Sequence, residues 1–106
     1  MLIQVNTDNA TPGREPMIRK VEATLRYRLA RFSERLTRIE VHVGDVAGGG
    51  GVDATSCTIE ARPTGLAPMA VADQAPTFEQ ALAGAAAKAV VALERIYGKL
   101  SSRKGH

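Results

Sequence analysis

The sequence predicts an α+β domain with the element order β-α-β-β-β-α, a four-stranded mixed sheet with two helices packed on one face. Two long stretches repeat apolar residues every three or four positions, the spacing of an amphipathic helix. Between them, short stretches alternate apolar with polar residues and are separated by Gly- and Pro-containing breaks, the pattern of strands buried on one side.

Leu2 to Thr7 is short and β-prone, and the polar run Asp8 to Gly13 that follows reads as a connection. Pro16 suits a first helical turn. From there Ile18, Val21, Leu25, Leu29, Phe32 and Leu36 predict one helix of about five turns with a single apolar stripe. Arg38 to Asp45 alternates, with Ile39, Val41 and Val43 on one side and Glu40 and His42 on the other. Ala47 to Val52 contains four consecutive glycines, predicting a mobile hairpin loop. Cys57, Ile59 and Ala61 then alternate with Thr58, Glu60 and Arg62, and a turn over Pro63 to Leu66 leads to a fourth strand at Met69 to Ala72. Thr77 with Gln80 forms a candidate capping box for a second helix, whose stripe is Phe78, Leu82, Ala85, Ala89, Leu93, Ile96 and Leu100. A helix between the first two strands favours a parallel pair, and short later connections favour hairpins. Glu40, His42, Thr58, Glu60 and Arg62 are thereby expected on an open sheet face.

One domain over residues 1–100 and a basic disordered tail over 101–106 are expected for a chain of 106 residues. No apolar stretch is long enough for a membrane span or a signal-peptide core, and the single cysteine, Cys57, excludes an internal disulfide, so a cytoplasmic protein with no membrane partner is expected. His42 and Cys57 do not make a metal cluster or a nucleophile and base pair, and the glycine run lacks the Lys-Ser or Lys-Thr of a phosphate cradle. Glu40 and Glu60 are expected as neighbours on adjacent strands, without the apolar pocket that acid-base work needs. No enzyme, cofactor, metal or small-molecule substrate is expected.

Charge is the informative feature. Fourteen Lys and Arg against eleven Asp and Glu give +3, and between Arg14 and Arg35 arginine outnumbers lysine six to one. Guanidinium groups hold phosphate oxygens bidentately, which points to a polyanion partner. On a continuous helix Lys20, Arg28, Arg31 and Arg35 fall within roughly an 80° sector containing no carboxylate, and Lys88, Arg95 and Lys99 within roughly 40° on the second helix. If the helices run parallel, one stripe lines the groove between them and the other an outer edge. With two tyrosines and no tryptophan, contacts to the nucleic-acid backbone are expected ahead of base stacking.

The opening Ile3 to Thr7, the junction Arg31 to Val43, and the segment Thr77 to Leu82 running on to Lys88 together resemble the ribosome hibernation promoting factor family, also described as ribosome-associated inhibitors and sigma-54 modulation proteins. The resemblance implies a fold related to double-stranded RNA-binding domains. It further implies a factor that binds the rRNA of the small ribosomal subunit near the decoding region, with ribosomal proteins as further partners, and limits translation under stress or in stationary phase. Arg28, Arg31 and Arg35 map onto positive positions of the family's first helix, and Lys88, Arg95 and Lys99 onto its basic second helix. The second helix reads Ala85-Ala86-Ala87-Lys88-Ala89-Val90-Val91-Ala92, where relatives commonly carry more charge, and the end at His106 predicts a short form. An alternative is a protein-interaction module in which Ala86, Val90 and Tyr97, opposite Lys88, widen the apolar stripe into a partner surface.

Overall fold

The computed structural model describes residues 1–7, 14–47 and 53–105, with side chains at 1–7, 14–46 and 54–98. Strand β1 (Leu2–Thr7) leads to helix α1 (Arg14–Arg28), a 3-10 helix (Ala30–Arg35), strands β2 (Leu36–Ala47), β3 (Asp53–Pro63) and β4 (Met69–Ala75), and helix α2 (Phe78–Gly105). The sheet order is β1-β2-β3-β4, with β1 parallel to β2 and both later pairs antiparallel, as the sequence predicts. Since β1 and β4 therefore point the same way and each helix returns from one of them, α1 and α2 run parallel over one face.

The alternation places Ile39, Val41, Val43, Cys57, Ile59 and Ala61 under the helices, all buried, against Val21, Leu25, Leu29 and Phe32 from one side and Leu82, Ala85, Ala89 and Leu93 from the other. Ile18 and Ile96, expected in the same stripes, are only half-buried, and the side chain of Leu100 lies outside the described residues. β2, β3 and β4 are each longer than the alternation alone predicts. The β2–β3 ladder continues to Ala47 opposite Asp53 and β4 to Ala75 opposite Thr55, because cross-strand pairing holds residues such as Ala47 and Asp73 that have little strand propensity of their own. The glycine connection beyond Ala47 lies outside the described residues.

The continuous five-turn first helix is corrected. Its α-helical part ends at Arg28, the Leu29 N–H closes the last turn on the Leu25 carbonyl at 2.8 Å, and the Phe32 N–H then bonds the Leu29 carbonyl at 2.9 Å, an i→i+3 closure. Tightening to three residues per turn keeps Phe32 over the core while lowering the chain to Leu36, the first residue of β2, which is itself buried. The free carbonyl of Arg35 is met by the Thr64 N–H at 2.8 Å and the Tyr97 hydroxyl at 3.4 Å.

Local signals elsewhere hold. Gly65 takes a φ of 75° between Thr64 and Leu66, whose N–H bonds the Pro63 carbonyl at 3.2 Å, so the turn uses the conformation glycine allows without strain. The Thr77 hydroxyl accepts from the Gln80 N–H at 3.2 Å and caps α2. The backbone of α2 runs as helix to Gly105, through the residues assigned above to a tail.

At mid-helix, Gly84 lets Asp73 of β4 fill the space a Cβ would occupy, and the Asp73 carboxylate meets Lys88 Nζ one turn on at 3.2 Å. Replacing Gly84 by Ala is expected to destabilise the domain, since overpacking costs about 1–3 kcal/mol and outweighs the roughly 1 kcal/mol gain in helix propensity. In an Asp73→Ala background the same change should stabilise instead. Urea melts of the two single variants and the double variant check the sign reversal; destabilisation in both backgrounds would show that Asp73 is not what Gly84 accommodates.

Candidate nucleic-acid interface

The helix layer presents two basic surfaces of different character. Across the groove between the parallel helices, Lys20 Nζ of α1 lies 3.5 Å from the Glu79 carboxylate of α2, and Arg31 pairs with Glu94. Below them the Phe32 and Tyr97 rings stack with centroids 5.8 Å apart. The Arg31 guanidinium lies over the Phe32 ring and that of Arg35 over Tyr97, each 4.7 Å from the centroid. Burial raises the Tyr97 hydroxyl pKa, with Arg35 pulling the other way.

Lys20, Arg31 and Arg35 are thus brought together along the groove wall, though not as one α-helical flank, because Arg31 and Arg35 belong to the 3-10 segment. The absence of carboxylates from their sector holds within the first helix, yet α2 supplies two from across the groove. Arg28, at the end of α1, is exposed and has no partner among the described residues.

The second surface lies on the outer flank of α2, above the edge strand β4. Lys88 Nζ donates to the Ala72 carbonyl at 2.9 Å as well as to Asp73, so it covers part of that edge. Together with Val71, Ala87, Val91, Ala92 and Arg95 it lines an open depression of about 400 Å³. Arg95 has no partner among the described residues, and the side chain of Lys99 lies outside them. The expectation that one basic stripe lines the groove and the other an outer edge therefore matches the placement of Lys20, Arg31 and Arg35 against Lys88 and Arg95.

The apolar surface expected at Ala86, Val90 and Tyr97 is not open. Ala86 is fully buried, and Val90 and Tyr97 pack on the core, because that flank of α2 faces the first helical arm. Among the described side chains of α2 the large apolar residue that is exposed is Val91, 46% accessible, on the Lys88 side. Sequence spacing alone assigns it to a polar flank.

The open sheet face is polar and self-neutralising. Glu40 and Glu60 stand opposite each other in register, as do Arg38 and Arg62, but Arg38 reaches Glu40 at 2.7 Å and Arg62 reaches Glu60 at 3.2 Å. Each carboxylate has its own cation on the same strand. Arg38 also donates to Gln4. Among the described residues no group of three or more His, Cys, Asp or Glu is placed to hold a metal, and no helix is long and apolar enough to cross a membrane.

No protein-family model matches the chain, and no curated protein matches it in sequence. Solved structures do. A ribosomal subunit interface protein from Coxiella burnetii superposes with a TM-score of 0.70 at 10% identity, covering 92% of this chain and 99% of that one. The Protein Y N-terminal domain from Thermus thermophilus superposes with a TM-score of 0.58 at 17% identity, covering 91% and 99%. At these identities the likeness is one of fold, and it spans nearly the whole chain.

Two outcomes test the energetics of this site. Phe32→Ala is expected to cost about 3–5 kcal/mol through the lost core ring. Glu94→Gln, which breaks an exposed pair, should cost less than about 1 kcal/mol. Chemical denaturation measures both; a larger loss for Glu94→Gln would make the ion pair the structural element. Separately, burial and then the nearby Asp73 charge raise the Cys57 thiol from 9.0 to about 11. The folded state therefore holds this proton more tightly than the unfolded chain, so stability is expected to fall as pH rises from about 9 to about 11. Cys57→Ala should flatten that slope in urea melts across the same window.

Proposed function

We propose that the chain is a non-enzymatic, cytoplasmic ribosome-associated factor of the hibernation promoting type. In this reading it binds small-subunit rRNA near the decoding region and limits translation under stress or in stationary phase. The observation that carries the proposal is the row Lys20, Arg31 and Arg35 along the helix groove, with Arg28 beside it and Arg95 beyond α2. The fold likeness to a ribosomal subunit interface protein supports it, as does the family resemblance of the sequence.

Glu79 and Glu94 do not disqualify that surface. Their pairs with Lys20 and Arg31 are half-exposed on both sides, and such pairs contribute about 0–1 kcal/mol. A backbone phosphate carries the same single charge as the carboxylate it replaces, but a run of phosphates meets several of these cations at once and releases its counterions, while the ring contacts hold the Arg31 and Arg35 guanidinium groups in place in advance. Lys88 and Arg95 extend the contact to the outer flank, Lys88 at the cost of leaving Asp73. Contacts of this kind fix position without reading sequence.

A second reading, contact with a protein through the outer flank of α2, is favoured by the apolar depression around Val91. One experiment separates the two. Co-sedimentation of the full chain with small ribosomal subunits is expected at low salt, with a log-log salt slope of order −3 to −6 for several phosphate contacts. The triple variant Arg28→Glu, Arg31→Glu, Arg35→Glu should lose it while Val91→Glu keeps it. The reverse pattern would favour the protein-contact reading, and no sedimentation in any salt would reject a ribosomal partner.

A further inference from the structure

Above the edge strand β4, the depression on the outer flank of α2 has an apolar lining of Val71, Ala87, Val91 and Ala92, with Lys88 and Arg95 as its charged members. Val91 is exposed there and Val71 half-buried. The strand beneath is open as well. β4 has β3 on one side only, so alternate residues along Met69–Ala75 turn their backbone N–H and C=O groups outward, with no ladder partner. The strand carries no proline or lysine of its own to guard that edge, and Lys88 Nζ covers it at the Ala72 carbonyl.

Edge, depression and cations match in scale. A strand added to β4 lies about 4.8 Å beyond it and raises alternate side chains toward the flank of α2. One of these, beside Val71, enters the depression. Because α2 returns antiparallel to β4, Lys88 stands at the Ala72 and Asp73 level, and Arg95, two turns or about 10.5 Å further along the helix, stands toward Met69. In an extended chain the side chains two positions before and two after a central residue share its face and are about 13 Å apart, a span that both long cations can meet. Lys88 keeps a third N–H donor beyond its bonds to Ala72 and Asp73, and Arg95 has no partner among the described residues.

We propose that this edge takes an acidic, extended segment of a partner protein as a fifth strand, with an apolar side chain in the depression and a carboxylate on either side of it, one at Lys88 and one at Arg95. The proposal rests on the protein-contact reading of the outer flank and names the partner's chemistry. Main-chain bonds to β4 supply the affinity, and the depression with its two cations selects the side chains. Charge decides the occupant. A second copy of this chain would bring its own Lys88 and Arg95 to the edge and meet like charge, and an RNA strand could use the two cations but not the apolar surface of Val71 and Val91 between them.

The test uses the full chain and fluorescein-labelled heptapeptides in which threonine alternates with glutamate, an apolar residue and a second glutamate, the apolar residue being leucine, valine or phenylalanine. Fluorescence anisotropy is expected to show binding of at least one. Val91→Glu should weaken it about tenfold or more, and Arg95→Glu should lose it but recover a peptide in which one glutamate is replaced by lysine. Circular dichroism checks that both variants stay folded. N-methylation of alternate peptide nitrogens should abolish binding in one of the two possible sets and spare it in the other, since only one set faces β4. Binding by none of the peptides, indifference to Val91→Glu, or equal tolerance of both methylated sets would overturn the proposal. Oligoadenylate binding that Arg95→Glu weakens and Val91→Glu leaves alone, with no peptide bound, would assign the flank to RNA. Self-association lost in Val91→Glu, seen by sedimentation equilibrium, would assign it to a second copy. If no peptide binds but Val91→Glu still removes small-subunit sedimentation, the strand addition falls while the protein-contact reading stands; if Val91→Glu changes neither, both fall.

Discussion

The stack of Phe32 on Tyr97 is the contact on which the helix layer depends. Phe32 belongs to the short 3-10 segment and Tyr97 to the far part of α2, so this one ring pair ties the end of the first helical arm to the second helix above the β2 entrance. Tyr97 also donates to the Arg35 carbonyl, satisfying a backbone group that the 3-10 turn leaves free. The ring faces then set the cations: Arg31 lies over one ring and Arg35 over the other. Packing, backbone satisfaction and the placement of charge share the same few atoms.

The electrostatics divide along the two faces of the sheet. On the open face, like charges stand opposite each other across β2 and β3, but each arginine pairs with the glutamate two residues away on its own strand, so the surface cancels locally and offers little to a polyanion. On the helix face the carboxylates that meet Lys20 and Arg31 come from the other helix and are exposed, which makes those pairs weak enough to exchange for another anion. A sheet face built to neutralise itself leaves the helices as the side with an excess of cations.

Topology was legible in the sequence because periodicity and turn chemistry are local. Ile39, Val41 and Val43 against Glu40 and His42 identify a one-sided strand wherever it sits, and Thr77 with Gln80 marks a helix start by a bond it makes itself. The break after Arg28 was not legible, since Leu29, Phe32 and Leu36 keep a spacing that either an α-helix or a 3-10 turn can satisfy; the choice is made by the descent into β2. For the same reason the arginine sector was drawn on a helix that ends too early, and its carboxylate partners, more than fifty residues away in sequence, could not be seen. Tyr97, at the margin of the second apolar stripe, is legible as core edge, and the structure puts Phe32 and Arg35 beside it, while Tyr27 is 82% exposed.

The alanines of α2 gain a different meaning from the structure. Ala81, Ala85, Ala86 and Ala89 are all fully buried, and Gly84 leaves room for Asp73, so this helix lies close upon β3 and β4 and has no space for longer side chains along that face. A low charge on α2 is therefore first a consequence of close packing. Among the described side chains of α2, the cations Lys88 and Arg95 lie on its outer flank, and Glu79 and Glu94 lie on the groove side. With α2 occupied in this way, the density of arginine falls to the first arm, where Arg28, Arg31 and Arg35 follow one another past the end of α1. The sequence bias of six arginines to one lysine in that arm is thus tied to the alanine bias of the other helix: one is small so that it packs, and the other carries the charge.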